Sequence, residues 1–423
     1  MMTAPLPHIL VISRWRDHYA RYEDYIDHRA HRVTYVTTGL GRASVPVSAA
    51  GSITVAATDD LREVRRAADT LSVRFGTPDL IVALNEGDLE TAAQLRAQLG
   101  CPGQDMTGLA RFRDKLIMIE AVAAAGLRTP AFADAPDAAA VKEFSQDHGW
   151  PLVVKPRRGT ASRGVLTLRS ADDLVVLDAQ EPEDRIVQTF CGDAIYHVDG
   201  LWTGTALGPW RASRYVNTCA EFPTGEALGS VEEDDPALLE PIGAFTAAAA
   251  KALGGRHPWV FHLEVFVGTA EDGSVRVTFL EAGWRVGGAE IPFIWREVHG
   301  VDLMAAAAAI QLGNDPALPE LPDGRFGGWL LVPSPVPAPC RIVAARIPDG
   351  DGAFAYAQVV PQPGQVLPKV GGYEHVGARF RFRGGSTREV LEAITATASR
   401  VSLECVPERA EAQPLQVPCG LDR

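Results

Sequence analysis

Apolar residues in the first hundred positions gather into four short unbroken runs: "HILVIS" (8–13), "HRVTYVT" (31–37), "SITVAA" (52–57) and "DLIVAL" (79–84). Between them, "DDLREVRRAADTLSVRF" and "EGDLETAAQLRAQL" space their apolar residues three and four apart, as amphipathic helices do. Strands alternating with helices predict a parallel sheet covered on both faces. This first unit ends near "GCPGQD" (100–105), and no G-x-G-x-x-G follows its first strand, so the dinucleotide fingerprint is absent.

Further along, "TGLARFRDKLIMIEAVAAAG" (107–126) predicts one helix stopped by glycine, with Pro130 just beyond. Helices are expected around 137–148, near 171–178 and at about 237–253, with a strand at "RIVQTF" (185–190). Two long strands, "WVFHLEVFV" and "SVRVTFLEAG", follow. The tail from about 331 is rich in Pro and Gly, with short strands and one helix, "TREVLEAITATASRV". There is no internal repeat and no low-complexity linker.

The 423 residues give length for two to four domains, and 46% hydrophobic with 22% charged residues is an ordinary globular composition. A net charge of −13 argues against nucleic acid or an anionic membrane as the main partner, because both select clustered cations. It leaves room for a nucleotide, which needs only local positive charge. The start, "MMTAPLPHILVISRW", lacks the basic region and apolar length of a signal peptide, and the alanine-rich runs are too short to span a membrane. Six scattered cysteines without a C-x-x-C pair fit reduced thiols in a cytoplasm and offer no zinc site.

Local positive charge is concentrated in "VVKPRRGTASRGV" (153–165), an apolar strand running into a lysine and a glycine-hinged loop with three arginines. Gly159 and Gly164 have P-loop spacing, but Val165 and Leu166 stand where Lys and Ser or Thr belong, and "GVLTL" alternates as a strand. What remains is a strand–loop–strand flap suited to lying over phosphates.

Acidic chemistry is set by a turn. Asp272-Gly273 between alternating strands predicts a two-residue hairpin, in which Glu271 faces Ser274 and Phe266 faces Phe279. Glu264 then faces Glu281 on one side of the sheet, with Cβ atoms about 4.5–5.5 Å apart. Like charges directly opposed call for a counter-charge, and a hard divalent cation shared with phosphates supplies one. In the same register His262 faces Gly283, and Arg285 extends the face toward an anionic group.

Together these pieces resemble the ATP-grasp superfamily, and within it the ADP-forming carboxylate–amine ligases, among them D-alanine–D-alanine ligase, biotin carboxylase and the L-amino-acid ligases. "RDKLIMIEAVAAAGLRTP" is similar to the segment of the family's first lysine, "PLVVKPRRGTASRGV" to its second lysine and flap, "IVQTFCG" to its hinge strand, and "HLEVF…FLEAGWRVGG" to its metal strands. The resemblance implies an α/β fold in four parts: a Rossmann-like N-terminal domain (1–106), a lid subdomain (107–187), a core with the metal site (188–330) and a C-terminal mixed α+β subdomain (331–423). It puts Lys115, Lys155, Arg158, Gly159, Ser162 and Gly164 on the nucleotide phosphates, and Gln188, Thr189 and Phe190 at adenine. Glu264 and Glu281 become ligands of Mg²⁺ or Mn²⁺, with Arg285 near the γ-phosphate and the acyl phosphate.

Many members carry Glu-x-Asn-x-Arg on the second metal strand, where this chain has Gly283, and His262 directly across is expected to fill that place, contacting metal, a metal-bound water or phosphate. The implied activity is ATP-dependent amide formation on amino acids or small peptides. His197 and Asp199 in "YHVDG", Arg211 and Arg214 in "RASRY", and Gly287 and Gly288 in "GGAEIPF" are the expected substrate contacts, in a cytoplasmic protein for which a homodimer is an open option. Carboxylation with bicarbonate, phosphotransfer, and nucleotide binding without catalysis are the competing readings.

Overall fold

A computed structural model describes residues 6–15, 19–160, 162–178, 183–217, 222, 225–316, 318–347, 355–368 and 376–408. Strands β1 (His8–Ser13), β2 (Arg32–Thr38), β3 (Gly51–Val55) and β4 (Leu80–Ala83) form a parallel sheet in the order β3-β2-β1-β4. Unbroken apolar runs arise because both faces are covered. Leu10, Ile12, Val36, Ile81 and Ala83 pack against Val64, Ala68 and Leu71 of helix Leu61–Phe75 and against Leu95 of helix Leu89–Leu99. Asp60 starts the first of these helices by accepting from the amides of Arg62 and Glu63.

The opposite face is closed from far along the chain. Ile9, Val11, Val33, Tyr35 and Val82 share a core with Ile291, Ile294, Trp295 and Val298 of helix Ile291–Val298, and with Leu303 and Met304 of the next helix. A fully buried apolar side chain stabilises by about 1.5–3 kcal/mol, so this common core fixes the parallel sheet firmly beside the segment that follows Arg285.

The single helix expected over 107–126 is two, Met106–Arg113 and Lys115–Ala124, broken at Asp114. Asp114 has extended backbone, and its side chain caps the second helix through the amides of Leu116 and Ile117. The break makes Lys115 the first residue of a helix.

Strands β5 (Phe132–Asp134), β6 (Leu152–Pro156), β7 (Leu166–Leu168) and β8 (Arg185–Thr189) form an antiparallel sheet in the order β5-β8-β6-β7. Leu152, Val154 and Val187 bury its inner face against Val141 and Phe144 of helix Ala138–His148. The flap joins β6 to β7.

The largest sheet has eight strands. It holds β9 (Ala194–Trp202), β10 (Leu207–Tyr215), β11 (Leu228–Glu232), β12 (Trp259–Thr269), β13 (Val275–Gly283) and β14 (Phe326–Pro333). Numbering on past β15 (Cys340–Arg346), β16 (Ala357–Val359), β17 (Val366–Leu367) and β18 (Gly377–Gly384), the order is β13-β12-β9-β10-β11-β14-β18-β16. A three-stranded sheet, β17-β15-β19 with β19 at Ser402–Pro407, lies beyond it.

Period-two alternation sorts the central strands. Tyr196, Val198, Ala212, Phe261, Leu263 and Val265 face Ile242, Phe245 and Ala249 of helix Pro236–Gly254. The intervening residues, including His197, Asp199, His262 and Glu264, take the other face. Among the described residues no helix is long and apolar enough to cross a membrane, and Cys101, Cys191, Cys340 and Cys405 are free thiols.

Candidate active site

Glu264 of β12 and Glu281 of β13 are direct cross-strand partners, and so are His262 and Gly283. The route to that register differs from the sequence expectation. Gly273 sits at φ +82°, its amide donates to the Ala270 carbonyl at 3.0 Å, and the Ala270 amide donates to Ser274 at 2.8 Å. The connection is therefore a three-residue loop ending in a left-handed glycine, not a two-residue turn.

The extra residue displaces the register by one, so Phe266 faces Thr278 rather than Phe279. A bulge at Leu280 then restores it before the glutamates. The Phe279 amide donates to the Arg128 carbonyl at 2.9 Å, and Phe279 lies in the helix-side core, off the glutamates' face.

Two ammonium groups approach these acids, one from helix Lys115–Ala124, which packs on the core of the eight-stranded sheet, and one from β6. Lys115 Nζ lies 3.7 Å from Glu281 Oε2 and donates to the Gly159 carbonyl at 3.0 Å. Lys155, on β6, is 4% exposed, and its ammonium has no hydrogen-bond partner among the described residues. Burial depresses its pKa to about 8, with Glu281 drawing it up, Lys115 pushing it down and Glu264 again drawing it up. A buried cation without a donor contact favours an incoming anion.

Arg285 is fixed from the N-terminal side. Its Nε donates to Glu86 Oε2 at 2.6 Å, while Arg113 donates to Glu86 Oε1 at 2.5 Å. Burial works against the charge of both Arg285 and Glu86, but their mutual attraction holds the guanidinium up and the carboxyl down. Glu86 was not singled out from the sequence. Its signal is position: it stands just past the carboxyl end of β4, where open parallel sheets place ligand contacts.

His262, Asp199, His197 and Ser230 form a buried chain. His262 Nδ1 lies 2.9 Å from Asp199 Oδ1, His197 Nδ1 lies 2.6 Å from Asp199 Oδ2, and His197 Nε2 lies 2.6 Å from Ser230 Oγ. Burial opposes ionisation of Asp199, yet the two imidazoles, His262 foremost, hold its carboxyl below the ordinary range. Burial likewise opposes a charge on His262, but Asp199 lifts it to about 9. Glu264 is held low by His262 and by the Tyr215 hydroxyl, which donates to it at 2.8 Å, against the effect of its own burial.

Gly287 closes over this chain. A Cβ there would sit 2.5 Å from Asp199 Oδ1 and 2.8 Å from His262 Nδ1. Gly287→Ala is expected to destabilise the protein by about 1–3 kcal/mol through overpacking. A thermal melt reads this directly, and an unchanged transition would mean that the loop yields. Gly288 lies next to it, its carbonyl accepting from the Ile291 amide at the helix start.

Of the flap arginines, Arg157 makes a two-point pair with Asp114 at 2.7 and 2.9 Å, and Arg158 donates to Glu90 at 2.6 Å. Arg158 is thus tied to the N-terminal unit. Gly164 takes φ +73°, and a Cβ would meet Pro156 at 2.8 Å, so the flap's return needs glycine. Ser162 adopts φ +54° and Gly159 φ +154°.

On the hinge side, Gln188 is buried in β8 between Phe132 and Val153. Thr189 Oγ1 accepts from the Ala131 amide at 3.1 Å, and Phe190 is an exposed aromatic whose amide donates to Pro151 at 3.3 Å. Arg211 lies across from Asp199 but donates to the Pro322 carbonyl at 3.1 Å and stacks on Phe326. Arg214 alternates onto the helix side of the sheet with Tyr196, away from the acids.

No protein-family model matches the sequence, and no curated protein matches it. Solved structures do match. An L-amino acid ligase from Bacillus licheniformis superposes with TM-score 0.69 at 17% identity, over 95% of this chain and 99% of that one. The biotin carboxylase domain of the Hydrogenobacter thermophilus 2-oxoglutarate carboxylase, solved as a dimer with ADP, magnesium and bicarbonate, gives 0.67 at 16% over 96% and 92%. An N5-carboxyaminoimidazole ribonucleotide synthetase from Thermotoga maritima gives 0.66 at 14% over 95% and 100%. All three are ATP-grasp proteins, and the fold of this chain is the ATP-grasp fold.

Proposed function

We propose that this ATP-grasp chain is an ATP-dependent carboxylate–amine ligase acting on amino acids or small peptides. The observation that carries the reading is the opposed pair Glu264 and Glu281, with Lys115 3.7 Å from the second and the unpartnered, buried Lys155 beside both. Two acids that need a cation, next to two cations that need an anion, suit a metal–nucleotide complex of ATP with Mg²⁺ or Mn²⁺. Glu264 and Glu281 would hold that cation, which neutralises phosphate charge when bound.

A substrate carboxylate oxygen attacks the γ-phosphorus, the bond to the β–γ bridging oxygen breaks, and ADP leaves. The amine lone pair then attacks the acyl carbon, the C–O bond breaks with phosphate as leaving group, and the nitrogen loses a proton. Lys115 and Lys155 offset the charge on the transferring phosphoryl group, and Arg285, oriented by Glu86, faces the acyl end. The glycine-hinged flap excludes water from the acyl phosphate. Gln188, Thr189 and Phe190 line the adenine end. The likeness to an L-amino acid ligase over nearly the whole chain supports amino acids as the substrate class.

Phosphate release across the proteinogenic amino acids, singly and in pairs, tests the reading, with mass spectrometry of the products. The expected result is ADP, phosphate and a dipeptide in equal amounts, with a hydroxamate when hydroxylamine replaces the amine. Turnover that requires bicarbonate, or ATP binding without ADP release in every mixture, would overturn it.

A further inference from the structure

We propose that His262 supplies an imidazole nitrogen to the cation held by Glu264 and Glu281, and that the site therefore prefers a first-row ion such as Mn²⁺ to Mg²⁺. This rests on the metal–nucleotide reading above and specifies its ion.

His262 Nε2 lies 3.6 Å from Glu264 Oε1. That is too long for a hydrogen bond. It is about 0.6 Å wider than adjacent corners of an octahedral site, a gap that a small side-chain movement closes. The ring's other nitrogen is committed to Asp199, so Nε2 is the nitrogen that faces Glu264, and a bound cation would take the place of a proton there. Asp199 is itself held by His197, and His197 by Ser230. Carboxylate-backed imidazoles of this kind are the outer-sphere arrangement that orients metal ligands.

Packing points the same way. His262, Asp199, His197 and Ser230 are all at least nine-tenths buried, and Gly287 packs directly against the His262–Asp199 contact. Gly283, directly across, has no side chain to compete for the position. An all-oxygen set suits Mg²⁺, which demands near-ideal octahedral geometry and sheds water reluctantly. One nitrogen among the oxygens shifts the balance toward transition ions.

The test uses the full-length protein with Mn²⁺ and the β,γ-methylene analogue of ATP, read by pulsed electron paramagnetic resonance. Protein labelled with ¹⁵N-histidine is expected to show a directly bonded ¹⁵N coupling, lost in His262→Asn. The ratio of Mn²⁺ to Mg²⁺ affinity should also fall about tenfold or more in that variant. His262→Gln serves if the first does not fold, and a labelled wild-type spectrum without the coupling overturns the proposal with neither. Nucleotide-dependent Mn²⁺ binding with no histidine coupling overturns the proposal and leaves the ligase reading standing. Absence of nucleotide-dependent Mn²⁺ binding overturns both.

Discussion

Lys155→Met is expected to lower ATP-dependent phosphate release by about a thousandfold, the scale of losing one preorganised charge contact to a transition state. Methionine keeps the apolar stem in its buried slot on β6 and deletes only the ammonium. The melting temperature is expected to hold or rise, because burial costs the ammonium more than Glu281 and Glu264 return.

The pH dependence gives a second readout. Burial takes the Lys155 pKa from 10.5 down to about 8, so the unfolded chain binds the proton more tightly. The resulting penalty on the wild type is fully present below about pH 8 and fades as the pH rises toward 10.5. The variant's advantage in stability should therefore shrink across that interval. Near-wild-type phosphate release would remove Lys155 from the site.

Glu281→Ala is expected to reduce turnover about a hundredfold to a thousandfold at a fixed magnesium or manganese concentration, with partial recovery as the metal is raised. The side chain is 36% exposed, so no core is lost, and urea denaturation should be close to that of the wild type. Truncation also strips Lys115 of its carboxylate partner, which adds to the loss. A variant with the wild-type metal requirement would show that the two glutamates oppose each other for some other reason.

Much of this was legible in the sequence because it follows from short-range rules. The four strands of the parallel sheet are unbroken apolar runs, and period-two alternation about Asp272-Gly273 names the right partners for Glu264 and Glu281. Even so, the pairing is reached by two offsets that cancel. The loop is one residue longer than expected, and the bulge at Leu280 removes the difference. Neither is written in composition: the bulged strand's outer edge is held by the carbonyl of Arg128, about 150 positions away.

Long-range partners account for the other differences. Asp114 breaks the expected single helix where Arg157 clasps it, a contact between segments about 40 residues apart. Glu86 is an ordinary loop acid until the fold brings Arg285 to it. Arg214 and Arg211 look alike in "RASRY", but the pleat sends them to opposite faces.

The sharing of the parallel sheet's second face with helix Ile291–Val298 bears on how the chain is made. Val82 leaves the ribosome about 200 residues before Ile291, and at about 5–20 residues per second that is an interval of roughly 10–40 s. Throughout it, Ile9, Val11, Val33, Tyr35 and Val82 present a sticky, half-finished surface to other nascent chains. Holdase chaperones would act most usefully in that interval, and a fragment ending before the helix would carry the same exposed face permanently.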